Sequence, residues 1–211
     1  MDCNIEIAAL ADASTKTSNN DWQVIVDIMS SWASRFTISQ QCVRWAVVSY
    51  ADSARESIAL SRYNDLQSLQ SAIRTLPLIN GGSDLLTALR LLRTQVFLYR
   101  NVRTRAALVA GFVTDELPSC SSQLVAEAND LKRLGVLLIG IVLNHRQTVD
   151  INCVRQLVAA NMYVEITDTS RYAAAVSDAA RAVCPPDYWS KSDDRVPRLH
   201  GATRCATDRL L

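Results

Sequence analysis

Asp12, Ser14 and Lys16 occupy alternate positions directly after an apolar run, "IEIAALA" at residues 5–11. A strand ending in carboxylate and hydroxyl groups delivers them to the carboxyl edge of a sheet, where α/β folds bind ligands. Two other stretches carry matching chemistry. Gly81–Gly82–Ser83 precedes a helix-like segment, and Thr114–Asp115 closes the apolar run "RAALVAGFVTD" at 105–115. Brought together, Asp12, Ser14, Ser83 and Asp115 would present hard oxygen donors, which hold Mg2+ through hydroxyls and water-bridged carboxylates. The plainer alternative is that Ser14, Thr15 and Ser18 cap a helix or line a loop, and that the two glycines only permit a turn.

The elements that must position these residues alternate along the chain. "DWQVIVDIMSSWASRF" (21–36) has Val24, Ile25, Ile28, Met29 and Trp32 on one helical face. "CVRWAVVSYA" (42–51) is a strand, with "ESIALS" (56–61) as its hairpin partner. Helices are expected at 65–76, ended by Pro77, and at 84–99; a strand follows at 105–115 and a helix at 121–135, stopped by Gly135. "VLLIGIVL" (136–143) reads as a parallel strand buried on both faces. A helix at 150–160, a short strand at 162–167 and a last helix at 170–184 complete the pattern. Strands alternating with such helices predict a doubly wound α/β fold: a mostly parallel six-stranded sheet between helices, with one antiparallel edge strand. The domain is expected over residues 1–184, and the proline-containing, mixed-charge segment 185–211 reads as a linker or tail.

Composition narrows the function. The formal net charge of +1 provides no global field toward nucleic acid or a membrane surface. No apolar run is long enough for a membrane span, and the amino terminus has no secretory signal pattern. Phosphate-binding glycine motifs are absent, and neither His145 nor His200 stands beside an obvious nucleophile, so no enzyme is expected. The arginines Arg90, Arg93, Arg100, Arg103 and Arg105 read as a solvated helix face, with an acidic or sulfated partner as the sharper alternative. Six cysteines without a C-x-x-C pair argue against structural zinc. Cys42, Cys120 and Cys153 read as small buried hydrophobes, and no pairing can be assigned among them and Cys205.

In this order and spacing, "DASTK" (12–16), "GGSDLLTAL" (81–89) and "FVTDE" (112–116) resemble the three segments of the metal-ion-dependent adhesion site of von Willebrand factor type A domains. "VRWAVVSYAD" (43–52) resembles that family's second strand and "RYAAAVSDAARAVC" its closing helix, so the resemblance covers residues 3–184. It is closest in kind to the extracellular matrix, collagen VI-like members. The family pattern D-x-S-x-S implies Asp12, Ser14, Ser83 and Asp115 as metal-site residues, with Lys16 in place of one hydroxyl ligand. Glu116 replaces a glycine. The resemblance therefore implies a degenerate site with no strong cofactor, binding Mg2+ or Mn2+ weakly. If it points into the site, the Lys16 ammonium would oppose the ion, and Lys16→Ser would restore binding; Lys16 could instead neutralise Asp12 or Asp115 directly, or bend away into solvent. Many extracellular members also close the domain with a cysteine pair, which implies a Cys3–Cys184 disulfide.

The function expected is a non-enzymatic protein-binding or adhesion module of a secreted matrix or cell-surface protein. Its partners would be matrix or cell-surface proteins, not nucleic acid. The alternative of the same fold is a cytoplasmic scaffold with reduced cysteines. A third, of another class, is a flavodoxin-like response regulator with Asp12 as phospho-acceptor.

Overall fold

The computed structural model describes residues 4–159 and 162–168. The helix expected at 170–184, the tail, and Cys3, Cys184, Cys205 and His200 lie outside those residues. Six strands form one sheet: β1 (Ile5–Asp12), β2 (Val43–Tyr50), β3 (Ala54–Ile58), β4 (Ala107–Thr114), β5 (Val136–Leu143) and β6 (Tyr163–Ile166). Their order is β3-β2-β1-β4-β5-β6, and every pairing is parallel except β2 with β3. The expected class and the antiparallel edge are both present. Chain order runs outward from β1 in one direction and from β4 in the other. The crossovers therefore diverge between these two strands and leave a crevice at their carboxyl ends.

Five α-helices are described: α1 (Asn19–Ala33), α2 (Leu66–Arg74), α3 (Leu85–Leu91), α4 (Ser122–Arg133) and α5 (Ile151–Leu157). Each begins at a serine or aspartate whose side chain accepts a backbone N–H: Ser18, Asp65, Asp84, Ser121 and Asp150. These caps satisfy donors that the first helical turn leaves without a partner.

All eight residues of β1, and all eight of β5, are buried. Alternation divides them between two apolar layers. Ile7, Ala9 and Ala11 face α1 and α2, whereas Ala8 and Leu10 face α3 and α4. Small side chains let the helices approach closely. A Cβ placed on Gly111 in β4 would lie 2.4 Å from Cη2 of Trp32. Trp32 in turn meets Trp45 edge to face, with ring centroids 4.9 Å apart.

The helix expected at 84–99 is interrupted. α3 ends at Leu91, and Leu92–Val96 is a π-helical turn in which the Phe97 amide reaches the Leu92 carbonyl at 2.8 Å. The wider turn puts the adjacent residues Val96 and Phe97 both into the core. The arginine stretch is not one solvated face either. Arg93 pairs with Glu127 at 2.5 Å. Arg103 reaches into the sheet to the fully buried Glu6, at 2.9 Å, and donates to the carbonyls of Ile5, Gln40 and Cys42. Arg44 completes this cluster from the position opposite Glu6. The carboxylate is enclosed by two guanidiniums, which is the condition for burying it.

The cysteine reading also needs correction. Cys120 and Cys153 form a disulfide that ties the start of α4 to α5, and Cys42 is disulfide-bonded as well. Lone cysteines far apart in sequence give no sign of pairing until the fold brings them together.

Gly111→Ala is expected to destabilise the domain by about 1–3 kcal/mol, because Trp32 must leave its packed position. Urea unfolding followed by tryptophan fluorescence would measure the loss.

Candidate functional site

β1 delivers Asp12 to the crevice. Beyond it, the Ala13 amide bonds the Tyr50 carbonyl at 2.9 Å and the Ile79 amide bonds the Ala13 carbonyl at 2.6 Å. This draws the 79–83 loop alongside residues 12–16. Asp52, just after β2, then fixes the glycine turn by accepting the Gly82 N–H at 2.7 Å. At Gly81, φ is 135°, and a Cβ there would lie 2.5 Å from an Asp52 carboxylate oxygen. Only glycine combines that backbone with that contact.

Ser83 is thereby placed to donate to Asp12 Oδ2 at 2.6 Å. Thr114, the last residue of β4, has its hydroxyl 2.8 Å from the same oxygen, and the Ser14 amide donates to Asp12 Oδ1 at 3.2 Å. The Ser14 hydroxyl is fully buried and has no hydrogen-bond partner. Asp115 follows Thr114 and is also fully buried. Its Oδ1 accepts from Thr17 at 2.7 Å, and its Oδ2 receives the Arg146 guanidinium. Burial pushes the Asp115 carboxyl up from its ordinary value; the Thr17 hydrogen bond holds it down, Asp12 adds to the rise, and Arg146 opposes it. The four sequence-designated residues Asp12, Ser14, Ser83 and Asp115 thus come to one crevice.

Lys16 does not enter that crevice. Its Nζ lies 2.9 Å from Glu116 Oε1, and its side chain is 57% exposed. The Glu116 hydrogen bond raises the Lys16 pKa above its usual value. The two departures from the family pattern therefore form a pair on the rim.

The sequence reading missed Thr17, Asp21 and Arg146. His145, which the sequence places beside no obvious nucleophile, has its Nε2 3.3 Å from Asp21 Oδ1, and Arg146 reaches Asp21 Oδ2 at the same distance. The signal available was positional. β5 pairs with β4, so the loop after β5 lies beside the residues that follow β4.

As a metal centre the donor set is altered. Lys16 stands where the resemblance implies a hydroxyl ligand, and one carboxylate, Asp115, already holds a guanidinium. Asp12 Oδ2 lies within hydrogen-bond distance of two hydroxyls. Among the described residues, no cluster of three or more His, Cys, Asp or Glu is arranged to hold a metal ion.

A family model described as von Willebrand factor type A domain matches residues 6–181. No curated protein matches the chain significantly. Similar solved structures include proximal thread matrix protein 1 from the mussel byssus, at 19% identity and a TM-score of 0.76. A second structure of that protein, with a zinc-occupied MIDAS motif, is similar at 20% identity and a TM-score of 0.77. In these two alignments 87% of this chain is covered, but it spans only 47% of the mussel protein. The manganese-loaded TRAP protein of Plasmodium vivax aligns at 17% identity and a TM-score of 0.69, covering 85% of this chain and 74% of that one. At these identities the structural likeness shows the fold.

Thr17→Val keeps the side-chain shape but leaves a buried Asp115 oxygen without its donor. We expect it to lower stability by about 2 kcal/mol. Lys16→Met, on the rim, is expected to leave the urea midpoint unchanged; comparing the two denaturation curves tests the division between floor and rim.

Proposed function

Because the chain belongs to the von Willebrand factor type A domain family, we propose that it is a non-enzymatic protein-binding module of an extracellular matrix or cell-surface protein, with weak or absent metal dependence. One observation carries the reading. The crevice collects oxygen donors from the ends of β1 and β4 and from the turn before α3, but Asp115 is already paired with Arg146, within the protein. The site residues Asp12, Ser14, Ser83 and Asp115 are then a framework that shapes the upper surface. Mg2+ or Mn2+ would meet a site with two protein cations close by. Lys16, Glu116 and Arg146 form the charged rim that a partner protein would touch.

An enzymatic role has little to work with here. Asp12 is fully buried beneath its hydroxyl donors, and the Lys16 ammonium is engaged by Glu116. Export is favoured by disulfide chemistry, since such bonds persist in oxidising compartments. The Cys120–Cys153 bridge closes a separation of 33 residues, which contributes about 4 kcal/mol in the chain-entropy picture.

Pull-down against immobilised matrix proteins should retain the same partner in Mg2+ and in chelator. Complete loss of retention in chelator would overturn metal independence. For the cysteines outside the described residues we retain the Cys3–Cys184 pairing. Since Cys42 is also bonded, that pairing requires Cys42 to join Cys205. Non-reducing peptide mapping should recover both pairs, and a peptide linking Cys42 to Cys3 or Cys184 would reject the closure.

A further inference from the structure

We propose that Arg146 is the resident cation of the crevice, and that Arg146, rather than Lys16, is what excludes a divalent ion from Asp115. Three carboxylates converge beneath the rim: Asp12 and Asp115 have no exposed surface, and Asp21 is 5% exposed. Buried carboxylates in such proximity require compensation by positive charge. Lys16 does not supply it from its position on Glu116. His145 is paired with Asp21. Arg146 reaches both Asp115 and Asp21, and so joins the end of β4 to the first turn of α1.

The loop that carries Arg146 is held in place for this task. Asn144 at the end of β5 accepts the Val149 N–H through its side chain at 3.1 Å, and donates to Glu165 at 2.6 Å. The Thr148 hydroxyl donates to the Asp115 carbonyl at 2.5 Å. The Leu117 amide bonds the Thr148 carbonyl at 3.1 Å, and the Asp150 amide bonds the Leu117 carbonyl at 2.7 Å. Between these anchors Gln147 adopts φ 56°, a left-handed conformation uncommon for a residue with a side chain. Such backbone persists where its surroundings determine it. The loop is thus stapled to the residues that follow β4, with the guanidinium directed at the Asp115 carboxylate. A divalent ion near Asp115 would have to displace a tethered cation or share its field. The Ser14 hydroxyl, buried and without a partner, is the oxygen that such an ion would find available.

The test uses Mn2+ as the probe and reads binding by calorimetry and stability by thermal unfolding, so it is independent of any adhesion partner. Wild-type protein and Lys16→Ser should show no melting shift in millimolar Mn2+. Arg146→Gln should melt lower than wild type in chelator and regain stability with Mn2+, binding at least about tenfold more tightly than wild type. Asp115→Asn combined with Arg146→Gln should lose that gain. Arg146→Lys, which keeps the charge without the fork, should fold and remain unresponsive to metal. Tight Mn2+ binding by wild type would overturn the proposal. A gain in Lys16→Ser without one in folded Arg146→Gln would also overturn it, and assign the block to Lys16. If Arg146→Gln folds only when Mn2+ is present, the ion is replacing the guanidinium, as proposed; if it folds in neither condition, a metal response by Arg146→Lys equal to that expected of Arg146→Gln would reject the charge argument.

Discussion

Two carboxylates must be buried at the point where the chain's crossovers diverge, and most of the loop structure above the sheet answers that requirement. Like charges buried side by side repel far more strongly than they do in water. Asp12 ends β1 and Asp115 directly follows the neighbouring β4, so neither can move away without disturbing its strand. Their surroundings compensate instead. The glycine turn is positioned by Asp52 so that Ser83 can donate to Asp12. Thr17 turns inward to Asp115 just before α1 is capped by Ser18. The loop after β5 adopts an uncommon backbone conformation and brings Arg146 to the same carboxylate.

β1 has the same problem at its other end. Glu6 lies in an otherwise apolar strand and has no exposed surface. Arg44 and Arg103 close over it, and Arg103 also donates to the strand-end carbonyls nearby. Between these ionic ends the strand is built of small and aliphatic residues, which permits helices to pack on both faces. Trp32 over Gly111 depends on that economy of volume: the indole occupies space that any larger residue in β4 would claim.

Much of the architecture was legible in the sequence because burial leaves a periodic record. The apolar runs at 5–11, 43–50, 107–113 and 136–143 are strands in the sheet, and the helix between the first two shows its face in Ile25, Ile28, Met29 and Trp32. The convergence of Asp12, Ser83 and Asp115 followed from strand order, since each sits just beyond a strand or turn facing the same crevice. Arg146 was illegible for a physical reason. A single cation in a non-periodic loop carries no pattern, and its importance arises from β5 lying beside β4. The Cys120–Cys153 bridge was hidden in the same way, as was the Glu6 cluster, whose partners are 38 and 97 residues away. The π-helical turn escaped because the apolar spacing of Leu92 and Val96 is equally compatible with a continuing α-helix.

Lys16 and Glu116 show why a family pattern is better interpreted in pairs than by single positions. Alone, an ammonium at a ligand position argues for repulsion of any bound cation, and a carboxylate beside Asp115 argues for repulsion within the site. Together they neutralise one another at the rim, 2.9 Å apart, and neither argument transfers to the crevice floor. What governs the floor is the balance of three buried acids against a guanidinium tethered by its loop. A diffusible ion would make the upper surface responsive to its concentration, whereas a cation carried by the chain keeps the same charge in every ionic environment. On the proposed reading the surface presented to a partner is set when the domain folds, and its affinity depends on the shape and charge of the rim formed by Lys16, Glu116 and Arg146.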